Sequence, residues 1–269
     1  TGPERNYLGY GLTIGAMTGF QHLTGLPDRE PAGTGTNYPD HIPNPSHAAF
    51  AILAALRHKR RTGQGQYIDI AQTEPTLSLL GPWIMNYAVN GELDNRRGNT
   101  HPEMAPHGVY PCLGDDRWIA IAAATDKQWA ALRQALGLSD EARWANVEGR
   151  IADRDALDQA IAECTRKREP KALMEVLQAA GVAAGTVHDA RDVLRNDAQL
   201  AWRGHWVEFD HPEMGPSTYN APPFRFSDAE STPSSPAPLL GQHTREICGE
   251  MLGLSDAEIE RLVGCGALT

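Results

Sequence analysis

Apolar positions are unevenly spread along the chain, and their spacing predicts the elements. Residues 8 to 26 alternate small and apolar positions and close on Thr24 and Gly25, which predicts a helix stopped near Gly25. The stretch "LPDREPAGTGTNYPDHIPNP" is dense in Pro, Gly and Asn and predicts a long loop. "HAAFAILAALRHKRR" follows, apolar on nearly every face from Ala48 to Leu56. That pattern predicts a buried helix, with Ser46 as its N-cap and Gly63 just past its end. "QYIDIAQ" sets Tyr67, Asp69 and Ala71 against Ile68 and Ile70, the period of a short strand. A helix from about Thr73 to Asn90 is expected next.

After a second polar loop, residues 90 to 108, the pattern changes. "VYPC" and "RWIAIAAA" flank "LGDD" and predict a β-hairpin. Thr125 with Gln128 three residues on forms a capping-box pattern ahead of "WAALRQALG". Charged amphipathic helices are expected through about residue 180. "GVAAGTV" then reads as a strand and "ARDVLRND" as a helix. "GHWVEFDHPEMG" and "STYNAPPFRFS" read as two strands joined by a turn. A Pro/Ser linker precedes two C-terminal helices, the second opened by Ser255 and Glu258.

These elements suggest an α/β chain with two centres of organisation. Residues 1–75 form part of a large domain, 76–100 a linking helix and loop, and 101–200 a smaller α+β domain. Residues 201–269 form a linker and a C-terminal return to the large domain. One strand in the first region cannot make a parallel sheet alone, so another segment or another chain is expected to complete it.

Composition narrows the class. The 269 residues carry a formal charge of −10, which disfavours nonspecific nucleic-acid or anionic-membrane binding. The basic cluster "RHKRR" sits where a helix ends, and cations suit that end of the dipole. The four cysteines are scattered without a C-x-x-C pair, as expected in a reducing cytosol. "TGPERNYLGYG" does not read as a signal peptide, and the longest apolar run, "AAFAILAAL", is too short to span a bilayer. A cytoplasmic protein without membrane or nucleic-acid partners is expected.

Candidate chemistry is sparse. His41 and His47, like His101 and His107, are spaced too loosely for a zinc site, and no metal is expected. "GTGTNYPD" lacks the spacing of a phosphate loop, and no G-x-S-x-G elbow occurs. Asp40 is left, a carboxylate stiffened between Pro39 and Pro43 just ahead of a helix. Local chemistry alone leaves two roles open for it, a turn or cap residue and a carboxylate nucleophile.

The order of several segments adds a resemblance. "GAMTGFQHLTGLPDREP", then "YPD", then "HAAFAILAALRHKRRTGQGQYIDIAQTE" resembles the class III (CaiB/BaiF) CoA-transferases, which include formyl-CoA transferase. "GNTHPEMAPHGVYPCLGDDRWIAIAAATDKQWAALRQALG", "AGVAAGTVHDARDVLRNDAQLAWRG" and "PLLGQHTREICGEMLGLSDAEIERLVGCGAL" are similar to later segments of the same family. The resemblance implies a Rossmann-like large domain, of which this chain holds part, with a smaller α+β domain. It implies that Asp40 attacks an acyl-CoA thioester and that CoA passes to a carboxylic acid through an aspartyl anhydride and an aspartyl–CoA thioester. Coenzyme A would be a substrate, with no further cofactor. Gly98, Asn99 and His107 would lie on a loop covering the site, and Tyr10 near a family active-site tyrosine. The family also carries an N-terminal segment ahead of this one. The resemblance therefore implies an interlocked homodimer, or a partner supplying that segment. Two alternatives share the family's fold: an α-methylacyl-CoA racemase with Asp40 as acid/base, and a non-catalytic subunit that completes a partner.

Overall fold

A computed structural model describes residues 2–268. They fall into two compact units, divided between Val187 and His188.

The first unit opens with helix α1, Gly11–Met17. The long helix expected over 8 to 26 is cut here. Tyr10 is extended ahead of α1, and Gly19 adopts a left-handed φ of 81° just after it. A conformation of that kind favours glycine and ends a helix. A 3₁₀ turn, Gln21–Leu23, follows. Asp40 lies not in an irregular loop but in a one-turn helix, α2, Tyr38–His41, whose Tyr38 ring stacks on Phe20 at 5.5 Å and 11°. Helix α3, Pro43–Thr62, starts ahead of the expected Ser46 cap. Proline suits the first helical position, because its missing N–H would have had no partner there. Ser46 is already inside the helix and donates its N–H to Ile42 O at 3.3 Å. Gly63, at φ 76°, ends the helix as expected.

The expected burial of α3 does not occur. Phe50 is 76% and Leu53 66% exposed, and Ile52 and Leu56 are exposed too. The short helices beside α3 are too small to cover a twenty-residue helix that is apolar on several faces. The expected strand over 66–72 is absent as well. Its backbone pairs with no other strand among the described residues, and a strand without a ladder has nothing to hold it. The helix expected over 73–90 is divided into α4, Thr73–Ser78, and α5, Gly81–Asn90. Pro82 in the first turn of α5 explains the break, since its ring clashes with the carbonyl four residues back and supplies no N–H.

The second half of this unit follows expectation. Strands β1, His107–Pro111, and β2, Trp118–Ala122, form the hairpin. Helix α6, Asp126–Leu136, begins at Thr125, whose hydroxyl accepts the Gln128 N–H. Helices α7, Val147–Ala152, α8, Arg154–Thr165, and α9, Pro170–Ala179, lead to β3, Ala183–Thr186. The three strands are antiparallel in the order β1-β2-β3. Alternate strand residues Tyr110, Ile119 and Ile121 join Leu132, Leu157 and Leu177 of the helices in one buried core.

The second unit contains α10, Ala198–Arg203, and the hairpin β4, Trp206–His211, with β5, Gly215–Asn220. "ARDVLRND" forms a π-helical turn, Asp192–Asn196, and the first C-terminal helix forms another, Glu246–Met251. Helix α11, Asp256–Gly264, carries the full Ser255–Glu258 capping box. The described chain is mixed α/β, with both sheets antiparallel. No described helix is long and apolar enough to cross a membrane.

Candidate active site

Asp40 owes its position to a close approach between two short helices. Its N–H bonds to Asn37 O at 3.0 Å, closing the turn that starts α2. Its carboxylate then lies against the first residue of α1, buried Gly11. A Cβ built on Gly11 would come within 2.6 Å of both Asp40 Oδ2 and Asn37 Cβ. Real Cβ atoms do not approach so closely, so only glycine admits this packing. Tyr10, immediately before Gly11, is the N-cap of α1 and provides no side-chain cap, leaving the first-turn N–H groups of α1 without one. Its ring is exposed beside that turn. Asp40 itself is half-buried, and no cation among the described residues forms an ion pair with it. The arrangement packs a half-buried carboxyl group against Gly11.

Gly98, Asn99 and His107 form a second group. Gly98, at φ 60°, donates its N–H to Gly25 O at 2.8 Å. Nearby, Arg96 Nη1 donates to His22 O at 3.1 Å. His107 Nδ1 lies 2.6 Å from Asn99 O, so this nitrogen carries the hydrogen and the carbonyl accepts it. The far end of the loop is gripped by two arginines. Arg150 is fully buried; its Nε donates to Ala105 O at 2.7 Å and its Nη2 to Asp126 Oδ1 at 2.8 Å. Arg154 Nη2 donates to His101 O at 2.6 Å. Residues 96 to 107 thus form a strap tied at both ends. Asn99 and His107 also line a cavity of about 350 Å³ on the open face of the β1-β2-β3 sheet.

The structure therefore places Tyr10 one residue before the glycine that meets Asp40, with its side chain exposed, and separately brings Gly98, Asn99 and His107 together. The stretch Phe20–Gly25 touches both groups, through the Phe20–Tyr38 stack and the Gly25–Gly98 bond. The histidines near Asp40 do not gather around it: His47 Nδ1 pairs with Pro43 O at 2.9 Å, and His41 is exposed. Among the described residues, no three metal-ligating side chains cluster.

The profile of CoA-transferase family III matches residues 1–244. The chain belongs to that family. It is 32% identical to succinyl-CoA–D-citramalate CoA-transferase of Chloroflexus aurantiacus, across 97% of this chain and 65% of that protein. It is 30% identical to succinate–glutarate CoA-transferase of Agrobacterium fabrum, across 93% and 62% respectively. Among solved structures, a CaiB/BaiF family protein from Brucella suis superposes with a TM-score of 0.83 at 33% identity, covering 93% of this chain and 65% of that one. The chain thus spans less than two thirds of the length of these family III relatives.

Several residues that shape this family III chain carry no distinctive signal in the sequence pattern. Gly11 was legible only as one small position among many. Arg150 and Arg154 sit in charged amphipathic helices, where an arginine normally reads as solvated. Only three-dimensional proximity reveals that Arg150 reaches Ala105, 45 positions away in sequence.

Proposed function

We propose that this chain carries the nucleophile of an acyl-CoA:carboxylate CoA-transferase, and that Asp40 is that nucleophile. The observation that carries the reading is the Asp40 carboxylate, held without a cation against Gly11 in a chain of CoA-transferase family III. A carboxylate oxygen of Asp40 attacks the thioester carbonyl and expels CoA thiolate, leaving a mixed anhydride. The thiolate attacks the Asp40 carbonyl, releases the first carboxylate and forms an aspartyl–CoA thioester. The incoming carboxylate attacks that thioester and expels CoA thiolate again. Attack of the thiolate on the new acyl carbonyl yields the second acyl-CoA and frees Asp40. Splitting one exchange into such steps is the gain of covalent catalysis. Each tetrahedral oxyanion needs fixed donors, and backbone N–H groups supply these best.

The family relatives named above act on succinyl-CoA or succinate with D-citramalate or glutarate. On that ground we assign the substrates to succinyl-CoA and a small dicarboxylic acid, with coenzyme A as a substrate and no other cofactor. Gly98, Asn99, His107 and Tyr10 are assigned to substrate binding. The remaining contacts to CoA come from a Rossmann-like large domain, completed in an interlocked homodimer or by a partner in the cytoplasm. The uncovered apolar face of α3 supports that assignment.

The test is chemical trapping in the complete enzyme. Incubation with succinyl-CoA followed by hydroxylamine converts Asp40 to a hydroxamate, read by peptide mass spectrometry. Asp40→Ala loses transfer by at least about 10⁴-fold, the scale of removing a covalent nucleophile. Asp40→Glu loses about 10²-fold, because one methylene displaces the attacking oxygen by about 1 Å. An active enzyme whose Asp40 stays unmodified would refute the reading, and α-proton exchange without transfer would replace it by a racemase.

A further inference from the structure

We propose that the open face of the β1-β2-β3 sheet, with the His107 imidazole beside it, is a subsite for a short aliphatic carboxylate. The choice of ligand rests on the CoA-transfer reading; the site rests on its geometry. The register sets His107 opposite Ala122 and Val109 opposite Ala120, and β2 continues the two rows to Ala183 and Gly185. These residues line the cavity of about 350 Å³, while their neighbours Tyr110 and Ile119 serve the core on the other side. Strand faces that pack against protein favour branched and aromatic side chains. This one carries mainly alanine and glycine, so it forms a low apolar slot of the size that small molecules fill.

The polar end of the slot is set by Asn99 and the His107 ring, against which the His101 ring lies at 5.5 Å. His107 Nδ1–H is spent on Asn99 O, 2.6 Å away, so Nε2 is the position left for a ligand. Nε2 is a donor to a carboxylate in the imidazolium form and an acceptor in the neutral one, and in both forms Nδ1–H stays on Asn99 O. The strap that carries both residues is already tied down by Gly98 and Arg154, so binding has little loop to order. Methylene groups of the acid lie over Ala120 and Ala122. A carboxylate is therefore the ligand class that satisfies both the ring and the slot.

Two variants separate this site from a merely structural role. A Cβ on Gly185 meets nothing within 4 Å, and its φ is not left-handed, so Gly185→Val fills the slot without strain. His107→Asn keeps an N–H for Asn99 O and removes Nε2. Glutarate is titrated into the wild type, the two variants and Asp40→Ala, followed by histidine-ring NMR and calorimetry. In the wild type and Asp40→Ala, glutarate is expected to move the His107 ring signals. In Gly185→Val and His107→Asn its affinity is expected to fall by about tenfold or more, with unchanged circular dichroism. Equal affinity in Gly185→Val, or unmoved His107 signals in the wild type, overturns the subsite. Steady-state kinetics of the complete enzyme separate the two ideas. Transfer with an unchanged KM for glutarate in both variants sinks the subsite and leaves Asp40 standing. Binding that follows the variants while no transfer occurs sinks the transfer reading and leaves the subsite.

Discussion

Two stretches of the first unit bury their apolar side chains to different extents. From Ala105 to Val182, sheet and helices enclose one core in which Ile119, Leu132, Leu157, Ile161 and Leu177 are entirely inaccessible. Before Asn90, helices α1 to α5 bury little beyond Ile14 and Leu80 among the apolar residues, and leave Phe50, Leu53, Met85 and Val89 exposed. The candidate nucleophile sits in the poorly covered stretch, and the alanine-lined cavity in the well-packed one. Local pattern specifies an element, but burial depends on a partner surface. A region that contains its own partners folds as its pattern says. One whose partners lie elsewhere shows its apolar face.

The largest expected effect tests this contrast directly. Leu157→Ala is expected to cost about 2–5 kcal/mol, the price of an uncollapsed core cavity, measured by urea unfolding. Leu53→Ala, at an exposed position, should cost within about 0.5 kcal/mol in this chain. If Leu53→Ala proves as costly as Leu157→Ala, and the cost grows with protein concentration, a second copy covers α3 in solution and the contrast disappears.

Gly11→Ala is the next in size. The added methyl meets Asp40 Oδ2 and Asn37 Cβ at 2.6 Å, so α1 and α2 must separate. Overpacking of this kind costs about 1–3 kcal/mol. Transfer should fall about 10²-fold for a displacement near 1 Å at the nucleophile. A Gly11→Ala variant with wild-type stability and kcat would show that the close contact between α1 and Asp40 is not needed.

Much of the well-packed stretch, and the start of α11 in the second unit, was legible in the sequence, for physical reasons. The hairpin, the Thr125 cap and the Ser255–Glu258 box depend on residues a few positions apart, and their chemistry is complete locally. The failures share the opposite property. Gly19 cuts the first helix by its backbone conformation, and Pro82 divides α4 from α5 in a run that reads as continuous. The strand over 66–72 has the right alternation but no ladder, and α3 has the right apolar run but no cover. At the candidate site, Asp40 was singled out by resemblance and not by local chemistry. Gly11 and the arginine ties of the strap depend on contacts that no spacing rule encodes.

The smallest expected effect compares two carboxylates. Asp40 has no cation or hydroxyl partner among the described residues, whereas Asp158 accepts the Tyr110 hydroxyl at 2.6 Å in the packed region. Burial pushes the Asp158 carboxyl above its ordinary value of 3.8, with the Tyr110 hydrogen bond and the Arg154 charge pulling it back. Burial and the Asp158 charge together push the Tyr110 phenol above its ordinary range, so it stays a donor. The direction for Asp158 sets the sign of its linkage. Between its unfolded and its raised folded value, the native state binds more protons than the unfolded state. Stability from this group is therefore full below about pH 4 and is lost as pH rises through the folded value. Asp158→Asn keeps an acceptor for Tyr110 and removes the buried charge. Urea unfolding across pH 3 to 8 should show the variant gaining on the wild type through that window and levelling above it. A variant that instead loses ground as pH rises would mean that the Arg154 attraction outweighs burial, and that Asp158 is the better-neutralised of the two carboxylates.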